Sequence, residues 1–186
     1  MQTYTIAVVV GSLSSESINR KLAQALIEIA PSDFSLRVVR IDDLPLYNRD
    51  LDANPGQAVE RFKAEIRAAQ GILFVTPEYN RSIPGALKNA LDHGSRPHGR
   101  SAWAGKPAGV VGASVGAPGS SMAQQHLRNI LAYLDMPTLG QPEVFVQVKE
   151  GMFDPEGRLA NGETEKFLRT WMERFVAWVR THAASA

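Results

Sequence analysis

The chain has 186 residues, enough for one domain with a substantial core, and its 44% hydrophobic and 21% charged content is ordinary for a globular protein. Lys and Arg number 20 against 19 Asp and Glu, and a formal net charge of +1 gives no footing for a nucleic-acid or membrane surface. Cysteine is absent, which excludes disulfides, thiol redox chemistry, Cys-ligated zinc and Cys-held iron–sulfur clusters; any electron transfer then needs an organic cofactor.

The first segment, MQTYTIAVVVGS, has no basic leader, and its apolar run is short for a signal peptide. No stretch approaches membrane-spanning length, so the cytoplasm is the expected location. Residues 5–10 (TIAVVV) form a β-branched run that reads as a strand buried on both faces. Ile18, Leu22, Ala25, Leu26 and Ile29 recur at helical spacing, and Pro31 closes that segment. A second strand is expected over 36–41, followed by a Pro- and Asp-rich connection, DDLPLYNRDLDANPG. Val59, Phe62, Ile66 and Ala69 mark the next helix, with Gly71 as its C-terminal stop.

Strand, helix and strand then follow over 72–75, 85–93 and 108–113. Leu127, Ile130, Leu131 and Leu134 mark a fourth helix, 144–148 a fifth strand, and Phe167, Trp171, Phe175 and Val179 a last helix. Buried β runs alternating with amphipathic helices imply a parallel sheet covered on both faces. Five such units predict a doubly wound, flavodoxin-like α/β fold with sheet order 2-1-3-4-5 and one domain over 1–186.

Ligands of such a sheet bind beyond the carboxyl ends of its strands, which directs attention to GSLSSESIN, TPEYNRSIPG and GASVGAPGSS. In the first, a strand turns into a helix through serines 12, 14, 15 and 17 plus Asn19. Hydroxyls beside the unpaired amides of a helix start make a phosphate cradle without lysine, whereas ordinary capping needs one hydroxyl. GxxxxGK[ST] and GxGxxG are both missing from the expected places, which argues against Walker-type and Rossmann-type phosphate loops.

In the second loop Pro77 stiffens the strand exit, Tyr79 offers a flat face and Asn80 donors and acceptors. Those groups suit a planar heteroaromatic ring with a polar edge; a plain Pro-initiated turn is the alternative. The third loop contains GASVG, a match to the GxSxG nucleophile elbow, but Ala117 to Ser120 delay the helix that should follow Ser114 at once. Neither His126 in the next helix nor His182 near the end suits a triad, and a glycine-lined approach for a flat ring, with Ser114 as a polar contact, fits better.

Together the segments GSLSSESINRKLAQAL, DDLPLYNRDL, TPEYNRSIPGALKNALD and GKPAGVVGASVGAPG resemble the NAD(P)H-dependent FMN reductase family, in particular its bacterial quinone and chromate reductase branch. The resemblance implies bound FMN, NADPH or NADH as electron donor, and a homodimer or a homotetramer built from dimers. It places Ser12, Ser17 and Asn19 at the FMN phosphate and adds Leu13 and Ile18 to the cofactor-binding residues. Pro77, Glu78, Tyr79 and Asn80 would meet the ring largely through backbone, and Ser114, Val115 and Gly116 would line its other side. It implies ping-pong hydride transfer to a quinone, with chromate, ferric complexes and azo compounds as further acceptors, and no catalytic side chain or metal.

The family usually carries arginine where this chain has Ser14, leaving Arg20 as a candidate substitute. Arg96 and Arg100 are candidates for attracting the anionic nucleotide or an anionic acceptor, against the alternative of a solvated basic loop. Leu44, Leu46 and Tyr47 are candidates for a subunit contact, and His93 and His98 read as surface residues rather than metal ligands. A flavodoxin-like carrier without nicotinamide chemistry and a serine hydrolase using Ser114 stand as alternatives.

Overall fold

A computed structural model describes residues 3–183. Five parallel strands, β1 (Tyr4–Val10), β2 (Phe34–Val38), β3 (Gly71–Val75), β4 (Ala108–Ser114) and β5 (Val144–Gln147), lie in the order β2-β1-β3-β4-β5. Helices α1 (Ile18–Glu28), α2 (Gln57–Ala68), α3 (Gly85–Ser95), α4 (Ser121–Tyr133) and α5 (Gly162–His182) connect and cover them. Side chains alternate across a strand, so β1 serves two cores at once. Ile6, Val8 and Val10 meet Leu22, Leu26, Trp171 and Phe175 of α1 and α5. Ala7 and Val9 face Phe62, Ile66, Leu87, Leu91, Leu127 and Leu131 of α2, α3 and α4. An unbroken β-branched run is what two apolar faces demand.

The fold class and sheet order agree with the sequence expectation, while three details differ. β2 begins at Phe34 rather than at 36 and ends at Val38 rather than at 41. Phe34 stacks on Tyr4 at 4.8 Å, pulling the edge strand into register early; the Val39 amide makes a last bond to Val8 O at 3.0 Å, and the chain then leaves the sheet, with Val39 and Ile41 packed among residues of α2 and α3. Gly71 opens β3 instead of ending α2. A Cβ there would stand 3.0 Å from both Ile6 and Val179, so any larger residue would have to displace those side chains under α5. On α5, Phe167 is exposed and Leu168 takes the core position. Trp171 and Phe175 are buried, as helix core, and Trp178 packs partly buried with its indole N–H on Pro137 O.

The connection from β1 crosses one face of the sheet through α1, and that from β3 crosses the other through α3. The carboxyl ends of β1 and β3 therefore flank the point where the winding reverses.

Candidate functional site

Cross-links hold the three strand-exit loops together. The Gly11 amide donates to Val75 O at 2.9 Å, and the Thr76 amide to Val111 O at 3.0 Å. A Cβ on Gly112 would fall 2.2 Å from Thr76 O and 2.1 Å from Ser120 Oγ, so the second and third loops touch through a position only glycine can fill.

Ser17 caps α1, its hydroxyl accepting from the Arg20 amide at 3.3 Å. The Ile18 and Asn19 amides have no acceptor within the helix, and no acidic residue stands in its first turn. Ser12 and Ser17 are buried beside this helix end, whereas Leu13, Ser14 and Ser15 are exposed. Two of the four serines thus pack at the helix end and two face solvent. Arg20 shares a cleft of about 410 Å³ with Ser12, Leu13, Arg40 and Asp42. Arg40 hydrogen-bonds Asp42 and holds that carboxyl below its ordinary value, with Arg20 adding a smaller electrostatic part. Arg40 is thus paired, and Arg20 has no ion pair among the described residues.

The Asn19 side chain is not available to a phosphate. It is 1% exposed, its Nδ2 donates to Ala113 O and its Oδ1 accepts from Ala113 N, both at 2.9 Å. β3 last pairs with β4 at Val75 and Val111, so Ala113 has lost its neighbour strand on that side. Asn19 supplies both missing hydrogen bonds, and what remains for a ligand is its backbone N–H.

Glu78 is likewise engaged through its side chain. Its carboxylate accepts from the Met122 and Ala123 amides at 3.0 and 3.1 Å, capping α4 from 44 and 45 residues away. The residue at the usual cap position, Ser120, is left-handed with φ 69° and makes no side-chain cap. Tyr79 and Ser82 exchange backbone hydrogen bonds at 3.0 Å each way, with Asn80 and Arg81 at positive φ between them. The Tyr79 amide is thereby occupied. Among the described residues the Asn80 and Arg81 amides, at the turn tip, have no backbone acceptor. Ser82 Oγ pairs with His126 Nδ1 at 2.9 Å, a second tie to α4. Pro77 is buried and the Tyr79 ring is 54% exposed.

On the third loop the Ser114 hydroxyl donates to Gly116 O at 2.9 Å, and Val115 and Gly116 are exposed. His126 is bound to Ser82, His182 Nδ1 lies 2.9 Å from Trp178 O, and α4 starts seven positions after Ser114. Ser114 has no histidine partner and no elbow, which removes the hydrolase reading.

Arg96 and Arg100 do not join this site within one chain. They follow α3, which starts at the ring loop and carries the chain roughly 16 Å away over its 11 residues. The Arg96 carbonyl accepts from Lys63 Nζ and the Arg100 carbonyl from Arg67 Nη2, both donors being in the second half of α2. His93 is buried, not superficial: its ring meets Tyr47 edge-on at 5.4 Å and its Nε2 lies 2.8 Å from Pro45 O. Tyr47 and Leu44 pack locally, and Leu46 and Leu51 are the exposed large apolar residues of that connection.

The residues present fit FMN: a helix-end anion cradle stands beside a turn with unspent amides and a flat exposed ring. The sequence model of the family described as NADPH-dependent FMN reductase matches residues 4–151. The chain belongs to that family.

Two curated relatives span nearly the whole reductase. A quinone reductase of Pseudomonas putida is 50% identical over 184 residues, covering 98% of each chain. A 2-hydroxy-1,4-benzoquinone reductase of a Burkholderia species is 51% identical over 175 residues, covering 94% of this chain and 96% of its own. Among solved structures, the flavoenzyme NAD(P)H:(acceptor) oxidoreductase FerB of Paracoccus denitrificans superposes with a TM-score of 0.93 at 38% identity, covering 98% of this chain and all of the other. The reductase is an NAD(P)H:acceptor oxidoreductase of flavodoxin-like fold that uses FMN. None of its described helices is long and apolar enough to cross a membrane.

Glu78 as a helix cap, Asn19 as a strand substitute and the left-handed pair Asn80–Arg81 escaped the sequence reading. The first two depend on contacts across 44 and 94 residues, which leave no local signal. The turn did leave one, since Asn favours positive φ.

Proposed function

We propose that this chain is a cytoplasmic NAD(P)H:quinone reductase that works through FMN as a homodimer, with a pair of dimers as the larger assembly. The observation that carries the reading is the turn at Tyr79–Ser82, pinned to α4 by Glu78 and Ser82 and left with unused amides at its tip. The names of the relatives support a quinone-type acceptor, and the exposed Leu46 suits a subunit contact.

Ser12 and Ser17 hydroxyls and the Ile18 and Asn19 amides would hold the phosphate, with Leu13 at the rim. Arg20 would supply the charge that Ser14 does not. Pro77 and Glu78 fix the turn, the Asn80 amide would meet the polar edge of the ring, and Ser114, Val115 and Gly116 would border its other side. Bound FMN supplies two-electron chemistry, passing hydride from a reduced nicotinamide to the acceptor. The chain's own part is to bind, to orient and to donate hydrogen bonds toward negative charge on the ring. A quinone taking one hydride and one solvent proton leaves as the quinol, with oxidised nicotinamide as the other product. Chromate, ferric complexes and azo compounds would use the same open face.

The FMN-loaded protein is expected to oxidise NADPH rapidly with a benzoquinone present, giving parallel double-reciprocal plots. FMN uptake without nicotinamide oxidation would support an electron carrier instead and overturn this reading.

A further inference from the structure

The ring-loop turn contains a residue out of place. Asn80 and Arg81 have φ of 51° and 62°, and Tyr79 and Ser82 close the hairpin around them. A two-residue turn with both central residues left-handed favours Asn followed by Gly. Asn80 conforms, but Arg81 occupies the glycine seat, where any Cβ is crowded by the following carbonyl. A bulky residue held in such a strained seat points to a use for its side chain.

Arg81 is exposed, and it forms no ion pair among the described residues. The next cation along the chain, Lys88, is tied to Asp92 at 2.8 Å. Arg96 and Arg100, the other candidates for an anionic nucleotide, lie beyond the far end of α3. Arg81 thus stands as an uncommitted guanidinium at the rim of the ring seat, two positions after Tyr79. A dinucleotide donor has to bring its reactive ring to that seat and leave its charged remainder outside. A planar guanidinium matches phosphate oxygens in bidentate fashion.

We propose that Arg81 binds a phosphate group of the nicotinamide dinucleotide donor; this rests on the reading of the Tyr79–Ser82 turn as the ring seat. The shared chemistry is a phosphate anion, either the pyrophosphate or the 2′-phosphate that distinguishes NADPH.

The test uses FMN-loaded enzyme and compares wild type with Arg81→Asn, which tolerates the left-handed backbone, and Arg81→Lys, which keeps the charge. Loss of one charge-assisted contact predicts a rise in the KM for NADPH of about tenfold in Arg81→Asn, with kcat and the Kd for FMN unchanged. Arg81→Lys recovers part of the loss. Added salt raises the wild-type KM and hardly moves that of the Asn variant. An equal rise for NADH assigns the pyrophosphate, and a rise confined to NADPH assigns the 2′-phosphate. Normal wild-type turnover together with unchanged KM values in Arg81→Asn overturns the assignment alone. A weakened Kd for FMN also overturns it, moving Arg81 to the cofactor. Wild-type enzyme that takes up FMN yet oxidises neither donor sinks the donor reading and Arg81 with it.

Discussion

Replacing Asn19 with alanine is expected to lower the melting temperature by roughly 10 °C, because the change strands two buried backbone groups that cost about 1–3 kcal/mol each. Those groups are the N–H and C=O of Ala113, both bound at 2.9 Å by the Asn19 amide. Hydrogen-bonding direction alternates along a parallel strand: Ser114 O accepts from Val148 on the β5 side, and Ala113 faces the opposite way. On that side β3 has already turned away at Pro77. The buried amide therefore does the work of an absent strand, and it fastens the start of α1 to the end of β4. Asn19→Asp is expected to lose much of the same stability, since a carboxylate presents no donor to Ala113 O. Thermal unfolding of the apo protein measures this directly. A shift below about 2 °C in both variants would mean that solvent replaces the amide without cost, against the 1% exposure of the site.

Glu78→Ala removes the carboxylate that accepts from Met122 and Ala123. Hydrogen bonds to a charged acceptor contribute about 1.5–3 kcal/mol, so a fall in melting temperature of roughly 5 °C is expected. The helix has no acidic residue in its first turn and no cap from Ser120, so nothing local compensates. The same bond anchors the Tyr79–Ser82 turn, and FMN affinity should fall with stability. Glu78→Gln, which keeps one acceptor oxygen, should lose less of both. Calorimetric titration beside thermal unfolding separates the two effects. Lost stability with unchanged FMN affinity would show that the turn keeps its shape without the anchor, and its role in seating the ring would be wrong.

These two residues mark where the sequence stops being legible. Buried β-branched runs such as TIAVVV announce strands because two-faced burial demands them, and Pro31 and the helical spacing of Leu22 and Leu26 announce α1. The edge strand β2 lies earlier than 36–41 because the apolar Val39 and Ile41 serve the packing with α2 and α3 at and beyond its end. At the site, loop positions follow from strand and helix alternation alone, so the three loops are legible. Side-chain roles do not follow. An asparagine after a serine-rich turn reads equally as a phosphate ligand and as a backbone mimic, and only the departure of β3 decides. The displacement of Arg96 and Arg100 was legible in principle, since 11 helical residues separate them from the ring loop.

The central claim is that the buried serines, the α1 amides and the Tyr79–Ser82 turn together seat one FMN. Calorimetric titration of the apo protein with FMN and, in parallel, with riboflavin tests it most directly. The account predicts saturation at one FMN per chain and binding of riboflavin, which lacks the phosphate, weaker by about a hundredfold or more. No uptake of FMN, or equal affinity for the two, would contradict it.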